Sequence, residues 1–554
     1  MRRVGPLEKW QQRYPNIPFF LSFFPKEEVE LLKDSCELDG WITTQNLDEL
    51  EVIYLVGLIG HSLPEPLIEW LKIKKERALV FIEDKLGAFA SFNEDELIEN
   101  PQIHFHYAKQ DPVEELSTLF PVDRIGVFVP KQRSFDPLQL ERRSAAASAL
   151  YSDVLYSHLL VKNALKNVKR LPESFLANKW KGAFAGVPAI LCGAGPSLAK
   201  AMPLLKKVKD RALIVAGGSA ITALTRNGIE PHLSVAFDPN QEEVDRLVQS
   251  RFFAGPFLYG LRLHSDVFAT VGGPFGYLKS DTGGWVEGYF ERELGLTGEA
   301  IGPDLGGEAF SVTTLAMSYL TALGCSSILF AGVDLAYSGG ERYAPGVEAE
   351  PLVKGDPKAL EKPLVRHDIH GKEVETLLKW VMESDAIAAY AKNHPETRFL
   401  NVSEGGIGFE GIENQSLEAA LSEVGVKGID LCGKMHQLVL ESKLNVDEVK
   451  LSEMLTLLGE SLERCDVLCD KISQELKERP EGGRLVLFEG DFREEEAYLC
   501  FLEGIDIALE RILHRYFPHI DPKVAKRQRE IAKYLELKEQ IQRIEKCFCV
   551  TSNK

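Results

Sequence analysis

A glycine-rich turn carries the residues best suited to holding an anionic group. Its five residues, which follow the apolar run 189–192, are Gly193, Ala194, Gly195, Pro196 and Ser197. An amphipathic segment begins at Leu198, so the pattern predicts a strand, a tight turn and a helix. Pro196 suits a first helical turn because it has no N–H to lose, and Ser197 adds a hydroxyl where the helix dipole favours an anion. The turn predicts either a cradle for a nucleotide phosphate or ribose, or only the tight connection of an α/β protein.

Three other turns with polar or glycine residues follow apolar, strand-like runs: Gly217–Ser219, Asp238-Pro239 and Asp334–Tyr337. Ligands of open parallel sheets bind where the strands have their carboxyl ends. A single aspartate after a strand is often a helix cap, but four such turns in one domain favour a site. Neither the P-loop pattern G-x-x-x-x-G-K-[ST] nor the G-x-S-x-G elbow occurs, which disfavours a P-loop kinase and an α/β-hydrolase.

Metal chemistry has little support in the sequence. His104 and His106 alternate along a predicted strand and could share one face, but no third ligand accompanies them. The nine cysteines are scattered without histidine partners at ligand spacing. We therefore expect no metal site, reduced cysteines and a cytoplasmic protein.

Length and charge restrict the function classes. At 554 residues the chain is too long for one core, and two to four domains are expected. A net charge of −19 argues against nucleic acid or an anionic membrane as the main partner. The uncharged stretch 309–333 has the length of a membrane span, but it is divided at 324–327 and reads better as a helix followed by a buried strand. No signal-peptide-like stretch follows the first residues, in keeping with a cytoplasmic location.

The order of predicted elements divides the chain into four parts. Residues 1–135 form a Rossmann-like domain whose glycine turn is incomplete, so its acidic strand end at Glu83 and Asp84 is interpreted as structural. Residues 136–178 are a helical connector, and residues 179–413 are a doubly wound α/β domain. Residues 414–554 are an all-helical C-terminal domain that could mediate oligomerisation.

Four sequence motifs carry a family resemblance: Gly193–Leu198, Asp238-Pro239, Ala322–Tyr337 and Val402–Gly406. Together they resemble the Maf-type motility-associated glycosyltransferases, whose core domain is shared with the archaeal MptE-like pterin diphosphokinases. The same core is similar to small bacterial sialyltransferases that use CMP-linked donors. The resemblance covers about residues 185–412 and implies a sialyltransferase-like α/β fold.

The resemblance also implies roles for individual residues. The glycine turn, Asp238, Pro239 and Asp334 would hold a nucleotide, and Ser311 and Thr313 would lie near its phosphate. Tyr337 and Tyr343 would donate hydrogen bonds to the departing phosphate, which stabilises a transition state without a metal. The general base would be His370 or His367, because imidazole readily takes a proton near neutral pH.

The activity implied is transfer of a nonulosonic acid from a CMP-linked donor to a serine or threonine hydroxyl of a protein, such as a flagellin or another surface protein. This reaction requires no cofactor. A rival interpretation is an ATP- and Mg²⁺-dependent pyrophosphokinase acting on 6-hydroxymethylpterin, with Asp238 and Asp334 holding the metal. A third is a non-catalytic nucleotide-binding scaffold whose long helices carry the interactions.

Overall fold

The structure is a computed structural model in two compact units. It describes residues 10, 13–14, 16–23, 31, 35–60, 62–92, 94–108, 112–155, 157–251, 253–281, 283–305, 311–347, 363–424, 428–516 and 522–552. The first unit comprises 1–155, 468–489 and 504–538, and the second comprises 156–467, 490–503 and 539–554. The four-part division with boundaries after residues 135, 178 and 413 stays a prediction.

The first unit contains a four-stranded parallel sheet. Its strands are β1 (Val52–Val56), β2 (Ala78–Glu83), β3 (Ile103–Tyr107) and β4 (Ile125–Phe128). They lie in the order β3-β2-β1-β4, which is the order of a Rossmann half. β1 and β2 are buried along their whole length, which explains why they are continuous apolar runs in the sequence. Within its segment 1–155, the described α-helices of this unit are Asn16–Phe23, Ser35–Thr44, Glu65–Ile73, Leu86–Ser91, Asp95–Glu99, Val113–Leu119 and Pro137–Leu155.

The acidic strand end of the first unit is engaged by the protein itself. Buried Glu83 accepts the backbone N–H groups of Leu58 (3.1 Å) and Lys85 (2.9 Å) and pairs with Arg133 at 2.9 Å. Arg133 also pairs with Asp84. Both acids are therefore part of the fold's own ion pairing, in keeping with the structural interpretation.

The second unit is built on a nine-stranded parallel sheet. Its strands are β5 (Phe175–Leu176), β6 (Pro188–Cys192), β7 (Leu213–Gly217), β8 (Leu233–Ala236), β9 (Phe257–Tyr259), β10 (Phe275–Tyr277), β11 (Ser327–Ala331), β14 (Arg398–Asn401) and β15 (Glu413–Asn414). The antiparallel hairpin of β12 (Leu364–His367) and β13 (Glu373–Thr376) stands apart from it. The strand order is β15-β14-β11-β6-β7-β8-β9-β10-β5.

This strand order creates a topological switch point. The chain runs from β6 outward through β7, β8, β9 and β10, then returns to place β11 on the other side of β6. Crevices outside the carboxyl ends of strands at such a point are where open α/β sheets bind ligands. The mixed α/β class with a doubly wound central sheet is confirmed.

Helices cover the nine-stranded sheet. They are Ser157–Asn167, Leu198–Leu205, Ser219–Arg226, Gln241–Leu247, Gly284–Glu293, Val312–Ala322 and Leu378–Asn393. The Val312–Ala322 helix is buried along most of its length and packs in the core with the strand residues Leu191, Val215 and Phe330. The uncharged stretch of the sequence thus divides into this helix and strand β11, as expected.

Beyond β15 the described elements are helices: Leu417–Val424, Leu431–Glu441, Glu448–Glu478, Gly483–Glu494, Glu503–Tyr516 and Pro522–Ser552, with a π-helical turn at Tyr498–Leu502. The helical C-terminal region is thus confirmed. Among the described helices none combines the length and the low polarity needed to cross a membrane.

Several elements differ from the sequence predictions. The apolar spacing of 138–168 predicts one long helix, but the structure has two, Pro137–Leu155 and Ser157–Asn167, followed by a 3₁₀ turn that contains Pro172. The glycine density of 272–307 predicts an irregular region, whereas the structure has β10 and the Gly284–Glu293 helix there. The polar composition of 348–371 predicts a mobile segment; residues 348–362 lie outside the described residues, and β12 begins at Leu364.

Candidate functional site

The glycine turn after β6 lies against the end of β11 at the switch point. Gly193 N–H donates to the Ala331 carbonyl (2.9 Å), and Gly195 N–H donates to the Gly332 carbonyl (2.7 Å). A Cβ on Gly193 would stand 2.6 Å from the Gly332 oxygen, so this approach requires glycine. The turn is therefore fixed by backbone contacts with β11.

Asp334 binds the start of the Leu198–Leu205 helix through Ser197. The Ser197 N–H donates to Asp334 Oδ2 (2.9 Å), and the Ser197 hydroxyl donates to Oδ1. Asp334 is 1% exposed. This burial raises the pKa of Asp334, while the two bonds from Ser197 act in the opposite direction. The N–H group predicted to face a ligand anion thus has a carboxylate of the protein as its acceptor.

The loop after β14 holds the Asp334 backbone. Ile407 N–H donates to the Asp334 carbonyl (3.0 Å), and a Cβ on Gly406 would stand 2.0 Å from that oxygen. Leu335, the next residue, has a φ of 50°, in the left-handed region that non-glycine residues rarely adopt. The polar side chain of Asp334 is therefore held by a strained segment, which is typical of functional sites.

Asp238 follows β8 at the same edge of the sheet, beside a second, deeper carboxylate. Its Oδ1 accepts the Asn240 N–H (3.0 Å), and its Oδ2 lies 3.9 Å from the Arg246 guanidinium. Arg246 donates to Glu243 Oε2 at 3.0 Å. Burial raises the pKa of Glu243, which is 2% exposed. Within the described residues Glu243 Oε1 has no hydrogen-bond partner, and a Cβ on Gly218 would lie 3.3 Å from it.

Ser311 is the N-cap of the Val312–Ala322 helix. Its hydroxyl accepts the Thr314 N–H (3.1 Å) and donates to Glu383 Oε1 (2.5 Å). Burial raises the pKa of Glu383 to about 7. Thr313, two residues after Ser311, is half-buried. The structure thus joins the predicted Ser311 to a carboxylate that the sequence patterns did not single out.

Tyr337 and Tyr343 belong to a group of aromatic rings around an arginine. The Tyr337 and Trp380 ring centroids lie 4.9 Å apart. Arg342 Cζ lies 5.1 Å from the Tyr343 ring centroid and 5.7 Å from that of Trp380. We call these four residues the arginine–aromatic cluster. The next residue, Ala344, donates its N–H to the Ala194 carbonyl (2.7 Å), which joins the cluster's segment to the glycine turn.

His370 and His367 lie on the β12–β13 hairpin, and both are exposed. The His370 N–H donates to Asp368 Oδ1 (2.8 Å) in the tight turn between the strands. Two backbone bonds tie the hairpin to the site: Tyr337 N–H donates to the Glu375 carbonyl (2.8 Å), and the N–H of residue 369 donates to the Gly406 carbonyl (3.0 Å). The hairpin that carries both candidate bases is thus attached beside Tyr337 and Asp334.

The two histidines considered as metal ligands have ordinary surroundings in the first unit. His104 packs edge-on against the Phe120 ring, with centroids 5.0 Å apart. His106 lies 3.7 Å from Glu115, and burial lowers its pKa. Across the described ranges, no three His, Cys, Asp or Glu side chains are grouped so as to hold a metal ion.

The residues that sequence reasoning missed are Arg342, Trp380, Glu243 and Glu383. Glu242 is exposed and the next residue, Glu243, is buried. Only their positions around the Gln241–Leu247 helix distinguish the two in the sequence. Arg342 stands between the two predicted tyrosines in the sequence, and this proximity was the one signal that could have identified it.

One of the comparisons with known proteins falls on this part of the chain, and another spans nearly the whole chain. Residues 162–340 match the profile of the family described as 6-hydroxymethylpterin diphosphokinase MptE-like. This confirms the MptE-like resemblance for a span that runs from before β5 to just beyond Tyr337. No curated protein matches the chain. The chain is also similar to the solved structure of a Maf glycosyltransferase from Magnetospirillum magneticum AMB-1, with 13% identity, a TM-score of 0.49, and coverage of 98% of this chain and 95% of that one.

Proposed function

We propose that the chain is a glycosyltransferase that moves a nonulosonic acid from a CMP-linked donor to a serine or threonine hydroxyl of an acceptor protein, such as a flagellin or another surface protein. One observation carries the proposal. The glycine turn, Asp334 and the tyrosine-bearing segment meet at the switch point, joined by the Ser197–Asp334 and Ala344–Ala194 hydrogen bonds. A nucleotide donor bound at this edge would place its phosphate near the segment that carries both phenols.

The departing phosphate is the part of the reaction to which Tyr337 and Tyr343 contribute. The bond between the anomeric carbon and the phosphate oxygen breaks, and its electron pair stays on CMP. A phenol O–H donates a hydrogen bond that strengthens as negative charge develops on that oxygen. Packing of Tyr337 against Trp380 limits the movement of the ring, so less orientational freedom is lost in the transition state.

The acceptor hydroxyl needs a base, and His370 is the proposed one. As the hydroxyl oxygen forms its bond to the anomeric carbon, its proton passes to the imidazole. The attachment of the hairpin at the Gly406 carbonyl and at Tyr337 supports this role, because both contacts lie beside Asp334 or its segment. His367 is the alternative, at the end of β12 opposite Glu373.

The carboxylates of this edge suit the hydroxyl and amino groups of a nucleoside. Asp238 and Glu243 Oε1, which has no partner among the described residues, are hydrogen-bond acceptors, and a ribose or a cytosine amino group supplies donors. A phosphate, in contrast, is an acceptor, and it could use the Ser197 N–H only by displacing Asp334. We therefore assign the acidic groups to the nucleoside end of the donor.

A second candidate is the ATP- and Mg²⁺-dependent pyrophosphokinase. The profile match over residues 162–340 favours it, since that family is described by this reaction. Mg²⁺ prefers carboxylate oxygens, which Asp238 and Asp334 would supply. However, both oxygens of Asp334 already accept hydrogen bonds from Ser197, which would have to be released for metal binding.

Thermal-shift titrations with CMP, CDP and ATP, each with and without Mg²⁺, test these alternatives, because a ligand of the native state raises the melting temperature. We expect a shift with CMP that does not need Mg²⁺. A shift that requires both ATP and Mg²⁺ would contradict the transferase proposal and support the kinase. No shift with any nucleotide would contradict both enzyme interpretations and leave only a scaffold that binds no nucleotide.

A further inference from the structure

We infer that Arg342 binds a phosphate group of the nucleotide at this site. The inference rests on the proposed function, which it deepens by naming the residue that receives the charge of the donor. Phosphate binding falls to the arginine–aromatic cluster because the Ser197 N–H, at the start of the Leu198–Leu205 helix, already donates to Asp334.

The geometry of Arg342 favours an anion that approaches in the plane of the guanidinium. The Tyr343 and Trp380 rings lie 5.1 and 5.7 Å from Arg342 Cζ, within the range of cation–π contacts. Such contacts fix the position of the group and leave its N–H donors unused. Those donors form a planar fork that matches two oxygens of one phosphate.

Among the residues that the structure describes, no acceptor bonds the hydrogen-bond donors of Arg342. Nε is buried and has no partner, and within the described ranges the contacts of the side chain are the two with aromatic rings. A half-buried guanidinium loses hydration without a compensating bond, which is costly unless a ligand supplies the acceptor. These donors, unpaired among the described residues, are the observation that points to an anion.

Other described cations near this edge have acceptors in the protein. Arg246 donates to Glu243 at 3.0 Å and lies 3.9 Å from Asp238. Arg226 donates to the carbonyl of residue 346 at 3.1 Å, and Lys200 lies 3.4 Å from Glu404. In a chain with a net charge of −19, an anionic ligand needs a local cation, and of these four described cations Arg342 is the one without a described acceptor.

The position of Arg342 agrees with the reaction. Its neighbours in the cluster are Tyr337, through Trp380, and Tyr343, and both phenols are proposed to donate to the leaving phosphate. A guanidinium beside two phenols would neutralise the charge that the phenols alone only disperse. Arg342 would therefore contribute to binding of CMP as well as to its release.

The experiment compares the wild-type chain with Arg342→Gln and Arg342→Lys by calorimetric titration with CMP, cytidine and inorganic pyrophosphate. The Arg398→Gln variant is the matched control, since Arg398 is exposed and pairs with Glu413 and Glu423 at the start of β14. We expect the Gln variant to lose about tenfold to a hundredfold in CMP affinity, the usual effect of a hydrogen bond to a charged group. The Lys variant should lose part of that, because its charge remains without the fork. Cytidine binding should be unchanged.

The outcomes separate this inference from the proposed function. If the wild type binds CMP and both Arg342 variants bind it equally well, the inference is overturned while the nucleotide site stands. If the wild type binds pyrophosphate but not CMP, and Arg342→Gln abolishes that binding, the inference holds and the CMP-donor proposal is wrong. If the wild type binds neither ligand, both are overturned. Should the Gln variant unfold, the Lys variant alone decides.

Discussion

Asp334 and Ser197 are joined by two hydrogen bonds, one to each carboxylate oxygen, across the boundary between β6 and β11. The helix start that the glycine pattern predicted is present, but its acceptor comes from the next strand of the sheet. This pair holds the helix start against the end of β11 and places a buried carboxylate at the switch point.

Ser197→Ala should destabilise the second unit. The change removes the hydroxyl that donates to Asp334 Oδ1 and leaves a buried carboxylate with one donor fewer. We expect a loss of about 1–3 kcal/mol in the free energy of unfolding. Urea unfolding measures it, with Ser326→Ala as the control, since Ser326 is exposed and its hydroxyl donates to the Gly186 carbonyl at the surface. Equal stability of the two variants would contradict a stabilising role for the pair.

Gly406→Ala should disrupt the loop that holds Asp334. A Cβ there would lie 2.0 Å from the Asp334 oxygen, at a φ of 82°. Gly411→Ala is the matched control, because its φ of 74° imposes the same backbone strain with no atom within 4 Å. We expect Gly406→Ala to lower the thermal midpoint well below that of Gly411→Ala. Similar midpoints would mean that the loop moves aside without cost.

Tyr337→Phe and Tyr343→Phe should each lower the rate of sugar transfer more than the affinity for the donor. Loss of a hydrogen bond that strengthens in the transition state costs about a hundredfold in kcat. The assay follows CMP release in the presence of acceptor protein. Tyr390→Phe is the control, because its hydroxyl lies against Ser318 in the core. A rise in KM at constant kcat would assign the phenols to ground-state binding instead.

His370→Ala should abolish transfer and leave the CMP thermal shift intact, because a base acts on the acceptor and not on the nucleotide. His367→Ala, on the same hairpin, serves as the comparison. If transfer survives in His370→Ala but is lost in His367→Ala, the base is His367. If it survives in both, Glu383→Gln is the next variant to measure, since the raised pKa of Glu383 suits proton exchange near neutrality.

Glu287 should make stability fall as the pH rises. It is 2% exposed, accepts the Arg262 N–H at 2.8 Å, and burial raises its pKa to about 7. A carboxyl whose pKa is higher in the folded chain binds its proton more tightly there, so its stabilisation is complete below about pH 4.3 and is lost as the pH rises through 7. Glu287→Gln should remove this part of the pH dependence in urea unfolding at pH 5 and pH 8. The exposed Glu293→Gln should not, and an unchanged slope in Glu287→Gln would contradict the assignment.

The sheet was largely predictable because its strands are buried on both faces. Runs such as Ala189–Cys192 and Leu233–Phe237 are continuous and apolar, which is typical of parallel strands. β10 was missed because Gly276 interrupts it, and that glycine is needed since a Cβ would stand 2.4 Å from the Phe175 ring. Such close packing between distant parts of the chain leaves no local pattern.

The sequence predicted which strand ends form the candidate site, but it did not predict which side chains contact one another there. The positions of Ser197, Asp238 and Asp334 follow from topology, because parallel strands end at one edge. Two contacts depend on side-chain directions in loops. They are the hydrogen bond from the Ser197 N–H to Asp334 and the position of Arg342 against the Tyr343 and Trp380 rings. Their functional roles stay predictions.

A backbone hydrogen bond from Tyr337 N–H to the Glu375 carbonyl links the segment of the phenol proposed for the leaving group to the hairpin that carries the histidine proposed for the acceptor. Under the proposed mechanism these two groups act at opposite ends of one reaction. A displacement of the hairpin that admits a bulky polypeptide would also move the backbone of Tyr337. Entry of the acceptor and departure of CMP would then depend on the same movement.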